Sequence, residues 1–164
     1  MVPKVFWCVR LKKWFYKICL VKAEFRIELI SYEKMETILP LAVLLNEGRF
    51  EYQILKERLD DMLSMGNYQC IGVYCESELI GICGFWLLNK LYAGKHLEPD
   101  NVYVKPEYRS KGIGNLMMQW LFDYAKQIGC ERLEVNCYTK NIKGKKFWES
   151  QGFNALGYHM IKKF

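Results

Sequence analysis

Arg109, Ser110, Lys111, Gly112, Ile113 and Gly114 put two full positive charges and two glycines into six consecutive residues. They lie between an alternating segment, Val102-Tyr103-Val104, and a strongly amphipathic one. Strand, short loop and helix in that order make a cradle for a phosphate group. The first amides of a helix lack intrahelical partners, and the aligned peptide dipoles leave about half a positive charge there. Gly112 and Gly114 keep side chains away from an approaching anion, while Arg109 and Lys111 add full charge. The loop lacks the GK[ST] ending of a P-loop, which argues against a generic nucleotide site of that kind.

The helix after the loop is set by Leu116, Met117, Trp120, Leu121, Tyr124, Ala125 and Ile128, which recur every three or four residues and so share one face. Gly129 supplies its stop. Upstream, residues 24–30 alternate as a strand, and two helical stretches follow, Glu33 to Asn46 and Phe50 to Met65. Pro40 is expected to bend or divide the first of these. Tyr68 to Cys75 and Leu79 to Leu91 read as a hairpin about Glu76-Ser77-Glu78, and a fourth strand runs from about Asp100 to Val104. Glu131 to Tyr138 alternates as a strand with one buried face, a short helix runs from Asn141 to Gly152, and a closing hairpin is expected between Phe153 and Phe164. The order β-α-α-β-β-β-α-β-α-β-β describes an α/β domain.

Two of these segments are similar to a known family. RSKGIG at 109–114 matches the Arg/Gln-x-x-Gly-x-Gly/Ala signature of motif A in the GNAT superfamily of acyl-CoA-dependent N-acetyltransferases, and VYVKPEYR resembles its lead-in. NIKGKKFWESQGF, residues 141–153, resembles the family's later motif of an Asn, a short helix, an aromatic pair and Gly-Phe. The resemblance runs from about Phe25 onward. It implies a mixed, mostly antiparallel sheet of six to seven strands flanked by about four helices, with acetyl-CoA as acyl donor.

Carried onto this chain, the resemblance implies that Val102, Tyr103 and Val104 pair with the pantetheine arm and polarise the acetyl carbonyl, with the pyrophosphate resting on residues 109–114. It implies a pantetheine contact for Asn141; the N-cap role of that residue is the other reading. Glu98 and Asp100 are the candidates for the base that deprotonates the amine, two residues apart and on one side if extended. Their alternative reading is a pair of solvated loop acids flanking Pro99. Family members often place a tyrosine second in the aromatic pair, near the thioester sulfur; here it is Trp148. An indole N–H donates a hydrogen bond without releasing a proton, so Trp148 is expected to shape the thiol pocket, with Phe147 turned to the core. Tyr138, Tyr158 or water are the substitutes for an acid. The acceptor is expected on the side of Glu47, Arg49, Phe50, Tyr52, Tyr158 and His159.

Composition narrows the function classes. The formal charge of +6 resides before residue 23, in Lys4, Arg10, Lys12, Lys13, Lys17 and Lys22, and the 18 remaining basic residues balance 18 acidic ones. A neutral body argues against a nucleic-acid substrate. Residues 1–22 read as a basic, aromatic extension and 23–164 as the transferase domain. No apolar run reaches the length of a membrane span, so stable membrane insertion is not expected. The seven cysteines, Cys8, Cys19, Cys70, Cys75, Cys83, Cys130 and Cys137, form no CxxC pair, and the only histidines are His96 and His159. Neither a disulfide framework nor a metal centre is suggested, and a reducing cytoplasm fits. The resulting expectation is an acetyl-CoA-dependent N-acetyltransferase for a small-molecule primary amine, acting by direct transfer in a ternary complex, with a homodimer as one assembly open to it. A protein or peptide amine is the alternative acceptor, and a CoA-binding module with little catalysis is the alternative class.

Overall fold

The computed structural model describes residues 25–164. Five strands form one sheet in the order β1-β2-β3-β4-β5: β1 (Arg26–Leu29), β2 (Tyr68–Cys75), β3 (Glu78–Lys90), β4 (Gly94–Val104) and β5 (Arg132–Leu133). The first four pair antiparallel, and β5 joins β4 in parallel. The expected division at Pro40 is present. A 3-10 helix, Tyr32–Ile38, gives way to α1 (Leu39–Leu45), with the proline in the first turn where its missing N–H costs nothing. The other helices are α2 (Tyr52–Ser64), α3 (Ile113–Gln127) and α4 (Ile142–Ser150).

Alternation along the strands supplies two cores. One face carries Ile71, Val73, Phe85 and Leu97 against Ile113, Met117, Met118, Leu121 and Ala125 of α3. The other carries Tyr68, Cys70 and Ile82 against the 3-10 helix, α1 and Leu59 of α2. The helix bearing the loop and the helices flanking the expected acceptor side therefore lie on opposite faces of the sheet. Among the described residues no helix is long and apolar enough to cross a membrane.

Three boundaries differ from the sequence reading. β4 begins at Gly94, six residues before the expected start, so Glu98, Pro99 and Asp100 are strand residues and not a loop. The strand expected over 131–138 pairs only at Arg132 and Leu133. The hairpin expected between Phe153 and Phe164 does not form, and the described residues hold five strands where six to seven were expected. A two-residue β5 offers no continuous edge for that segment to pair with, Gly157 weakens it as a strand, and a hairpin alone is marginal in water. The reading of residues 1–22 as an extension lies outside the described residues.

Cys70 and Cys83 are fully buried and Cys137 is exposed. Burial pushes the Cys70 thiol up to about 12 and that of Cys83 well above its usual value. The native state thus holds these protons more tightly than the unfolded chain does. That contribution to stability is complete below about pH 8.5, the unfolded thiol value, and declines as pH climbs toward 12. Among the described cysteines, Cys137 is expected to react with a disulfide reagent in the native protein, and Cys70 and Cys83 only after denaturation. Mass spectrometry of pulse-labelled protein checks this, and rapid native labelling of Cys70 would contradict the packing.

Candidate active site

The site begins where β4 and β5 part. In a parallel ladder every second residue faces the neighbouring strand, donating its N–H to one residue there and accepting at its C=O from another, so the bonds alternate in direction along the strand. Leu97, paired with Leu133, accepts from the amide of Glu134 at 3.0 Å. In that register the next bond requires the amide of residue 99, and Pro99 has none. The ladder stops there. Among the described residues, β4 from Glu98 to Val104 has no strand neighbour on the β5 side.

A bulge follows at once. Ile82 pairs with Tyr103 and Gly84 with Asp100, so Asn101 and Val102 together face the single residue Cys83. Asn101 adopts φ +50°, a conformation that Asn tolerates better than most residues. The extra residue reverses the alternation: Leu97 packs toward α3 before the bulge, and Val102 and Val104 do so after it.

Asp100 holds this bulge. Its carboxylate accepts from the Asn101 amide (2.8 Å), the Asn101 side chain (3.0 Å) and Trp86 Nε1 (3.1 Å). Glu98, on the same face two residues earlier, is placed differently. One of its oxygens accepts from Asn136 Nδ2, across the opening between the strands, and the other lies 3.8 Å from Lys90 Nζ. Its side chain is 20% exposed. Lys90 also binds Glu134 at 2.9 Å, which lowers the Glu134 pKa and raises that of the lysine.

Past Val104, the chain makes a 3-10 turn, Pro106–Tyr108, and enters the loop. Arg109 Nε donates to Val104 O at 2.8 Å, and its guanidinium carbon lies 5.3 Å from the centre of the Tyr103 ring. This arginine fastens the loop to the end of β4. Lys111 Nζ sits 5.2 Å from the Tyr108 ring. φ is positive at Ser110 (+61°) and Gly112 (+80°), a backbone sign change of the kind that forms anion-binding concavities. Gly112 is the N-cap of α3, and the first helical bond runs from Leu116 N to Gly112 O, so the amides of 113–115 precede it. Ile113 is buried and anchors the helix start.

The two glycines have different tasks. A Cβ at Gly112 would meet open space, so the requirement there is the left-handed backbone. A Cβ at Gly114 would lie 2.8 Å from Phe147 Cε2, so this position is small for helix packing and not for an anion. Phe147 thus faces the core beside α3, as expected. Trp148 packs edge-on against Phe147 (5.0 Å) and Phe153 (5.4 Å) and is partly buried. Asn141 accepts from the Gly144 amide at 2.8 Å, the N-cap role. Gln151 reaches Asn115 at 2.9 Å and ties α4 to the first turn of α3.

Glu98, Asp100, residues 102–104 and the loop therefore lie along one continuous strand and its exit. Tyr138 and Tyr158 are both exposed. On the expected acceptor side, Tyr52 OH donates to Glu36 (3.0 Å) and Arg58 covers the Phe50 ring (4.3 Å). Sequence reasoning missed Trp86, Lys90, His96, Asn101 and Asn136. Of these only Asn136 left a signal, as a member of the polar face of residues 132, 134 and 136.

Known proteins resemble this chain in sequence and in fold. The profile described as the Acetyltransferase (GNAT) family matches residues 36–153. A thialysine N-epsilon-acetyltransferase from Sus scrofa is 24% identical over 88 residues, which is 51% of this chain and 52% of that protein. A spermine/spermidine N(1)-acetyltransferase from Bacillus subtilis (strain 168) is 22% identical over 135 residues, 80% of this chain and 88% of that protein. The chain thus spans about half the length of the first relative and most of the second. The structure of AAC(6')-Iy in complex with the bisubstrate analog CoA-S-monomethyl-acetylneamine superposes with a TM-score of 0.71 at 14% identity, covering 85% of this chain and 97% of that one.

Proposed function

The chain belongs to the Acetyltransferase (GNAT) family, and on that premise we propose that it moves an acetyl group from acetyl-CoA directly to a primary amine of a small molecule within a ternary complex. The observation that carries the reading is the side of β4, residues 98–104, that has no strand neighbour among the described residues and that is followed, through a 3-10 turn and the 109–112 loop, by a positively polarised helix start. A pantetheine amide finds backbone partners along that edge, and a pyrophosphate finds the amides of 111–114. Among the relatives above, one is named for thialysine and another for spermine and spermidine, both amines, which supports a small amine as acceptor.

The chemistry requires a base first. A lysine-like amine has a pKa near 10.4, so only about one molecule in a few thousand is nucleophilic at pH 7. Glu98 is assigned this task, because its carboxylate lies at the opening between the strands and is partly accessible. Asp100 is assigned to the bulge, since three donors already occupy its oxygens. The bulge turns Val102 and Val104 toward α3, which places the 102–104 backbone to donate to the oxygen on which charge develops. Trp148, packed between two phenylalanines, serves as a wall of the thiol pocket. A thiol of pKa about 8.5 is a good enough leaving group to depart without an acid.

Trp148 also favours a second reading, a CoA-binding module with little turnover. Calorimetry with coenzyme A, followed by thiol release from acetyl-CoA across a panel of small amines and lysine peptides, separates the two. Binding with amine-dependent thiol release supports the enzyme, and binding without release on any amine supports the module. Gly112→Val forces a β-branched residue to φ +80° at a cost of about 1–2 kcal/mol, so coenzyme A is expected to bind about tenfold more weakly. Unchanged affinity would remove the loop from the site.

A further inference from the structure

His96 is the one fully buried polar or charged residue among the described ones, and its Nε2 has no hydrogen-bond partner. Its Nδ1 lies 2.9 Å from Gly94 O. A carbonyl only accepts, so Nδ1 carries the hydrogen and a neutral ring presents the Nε2 lone pair. That lone pair faces Glu134 Oε2 at 3.8 Å. One ring nitrogen of His96 and one carboxylate oxygen from each of Glu98 and Glu134 lie within 4.8 Å of one another. Three electron donors thus converge where the strands part, and Lys90 Nζ, 2.9 Å from Glu134 and 3.8 Å from Glu98, lies among them. Arg132 touches the outer oxygen of Glu134 at 3.9 Å.

We infer that His96, Glu98 and Glu134 form a site for a zinc-type divalent cation that binds in place of the Lys90 ammonium. One imidazole and two carboxylates are a donor set for such an ion, with a remaining position for water. A histidine ligand held by an Nδ1–H bond to a backbone carbonyl is already oriented for coordination through Nε2. Lys90 does not block the site, because its side chain is one-third exposed and long enough to turn out to solvent. No motif marks this site, since residues 96, 98 and 134 do not have the spacing of a metal-binding pattern. Coordination takes up the carboxylate of Glu98, so zinc slows acetyl transfer; that consequence rests on Glu98 being the base, whereas the site itself does not.

Cobalt(II) titration of metal-free protein, read by its visible d–d bands, tests the site apart from activity. Saturable binding is expected without a thiolate-to-cobalt charge-transfer band. Glu134→Gln, at a partly exposed position, is expected to weaken cobalt at least about tenfold. Lys90→Met, which removes the competing cation, is expected to tighten it severalfold. No binding, a thiolate band, or equal affinity in wild type and both variants overturns the inference. Zinc that binds here without slowing turnover supports the site and removes Glu98 as the base. Absence of binding, with turnover still dependent on Glu98, removes the site and leaves the catalytic reading intact.

Discussion

Glu98→Gln is expected to lower kcat by about 10²- to 10⁴-fold, the usual contribution of a positioned base, while coenzyme A affinity stays within about twofold. The amide keeps the size of the side chain and its contact with Asn136, so a structural role would predict little change. Raising the pH should partly rescue the variant, because the supply of uncharged amine rises tenfold per unit until the acceptor's own pKa is reached. Asp100→Asn is the contrast. The variant retains one acceptor oxygen for three donors, the Asn101 amide, the Asn101 side chain and Trp86 Nε1. An unsatisfied donor costs about 1–3 kcal/mol, so Asp100→Asn should appear first as a fall in Tm of several degrees. If Asp100→Asn instead removes catalysis with Tm unchanged and Glu98→Gln does not, the two assignments are exchanged.

The separate fates of these two acids show where sequence stops being informative. Their spacing correctly placed them on one side of an extended segment. It said nothing of the partners that pairing brings near, Trp86 and Lys90 from β3 and Asn136 from the segment after β5. Asn101 could not be identified as a bulge, since a positive φ at a residue other than glycine leaves no mark in composition. Without the bulge, the switch of Val102 and Val104 to the α3 face is invisible, because strict alternation predicts the opposite face from Leu97. Pro99 misled in an instructive way. A proline just ahead of an expected strand suggests a loop, whereas Pro99 lies within β4 and removes the donor that would have kept β5 attached. The loop and the helix that follows it, α3, were legible because their determinants are local: charge, glycine spacing and a 3.6-residue period. Gly114 was legible as a necessity but not in its reason, which is the edge of Phe147 from a helix 28 residues later.

The same bulge makes Gly84→Ala expected to be the most disruptive single-methyl change in the sheet. An added Cβ would fall on the hydroxyl of Tyr68, lie 2.7 Å from that ring's Cζ and lie 3.0 Å from the carbonyl oxygen of Asp100. Neither neighbour yields easily. The Tyr68 ring is buried and packs on Trp86 with centroids 4.9 Å apart, and its hydroxyl accepts from Asn101 Nδ2 at 3.4 Å; the carbonyl belongs to the strand that forms the bulge. Overpacking at such a point costs about 3 kcal/mol, or about 6–12 °C in Tm for a domain of this size. Relief by moving Tyr68 breaks its bond to Asn101, and relief by moving β4 shifts Glu98 and the 102–104 backbone together. Turnover of the folded fraction should therefore fall as well, which distinguishes this site from an ordinary core position. Tyr68→Leu in the same chain removes the obstructing ring. The double variant is expected to lose less stability than the two single losses combined, with a coupling of about 1–3 kcal/mol. Strict additivity in thermal melts of the four proteins would mean that Tyr68 does not press on Gly84, and the bulge would then need another anchor.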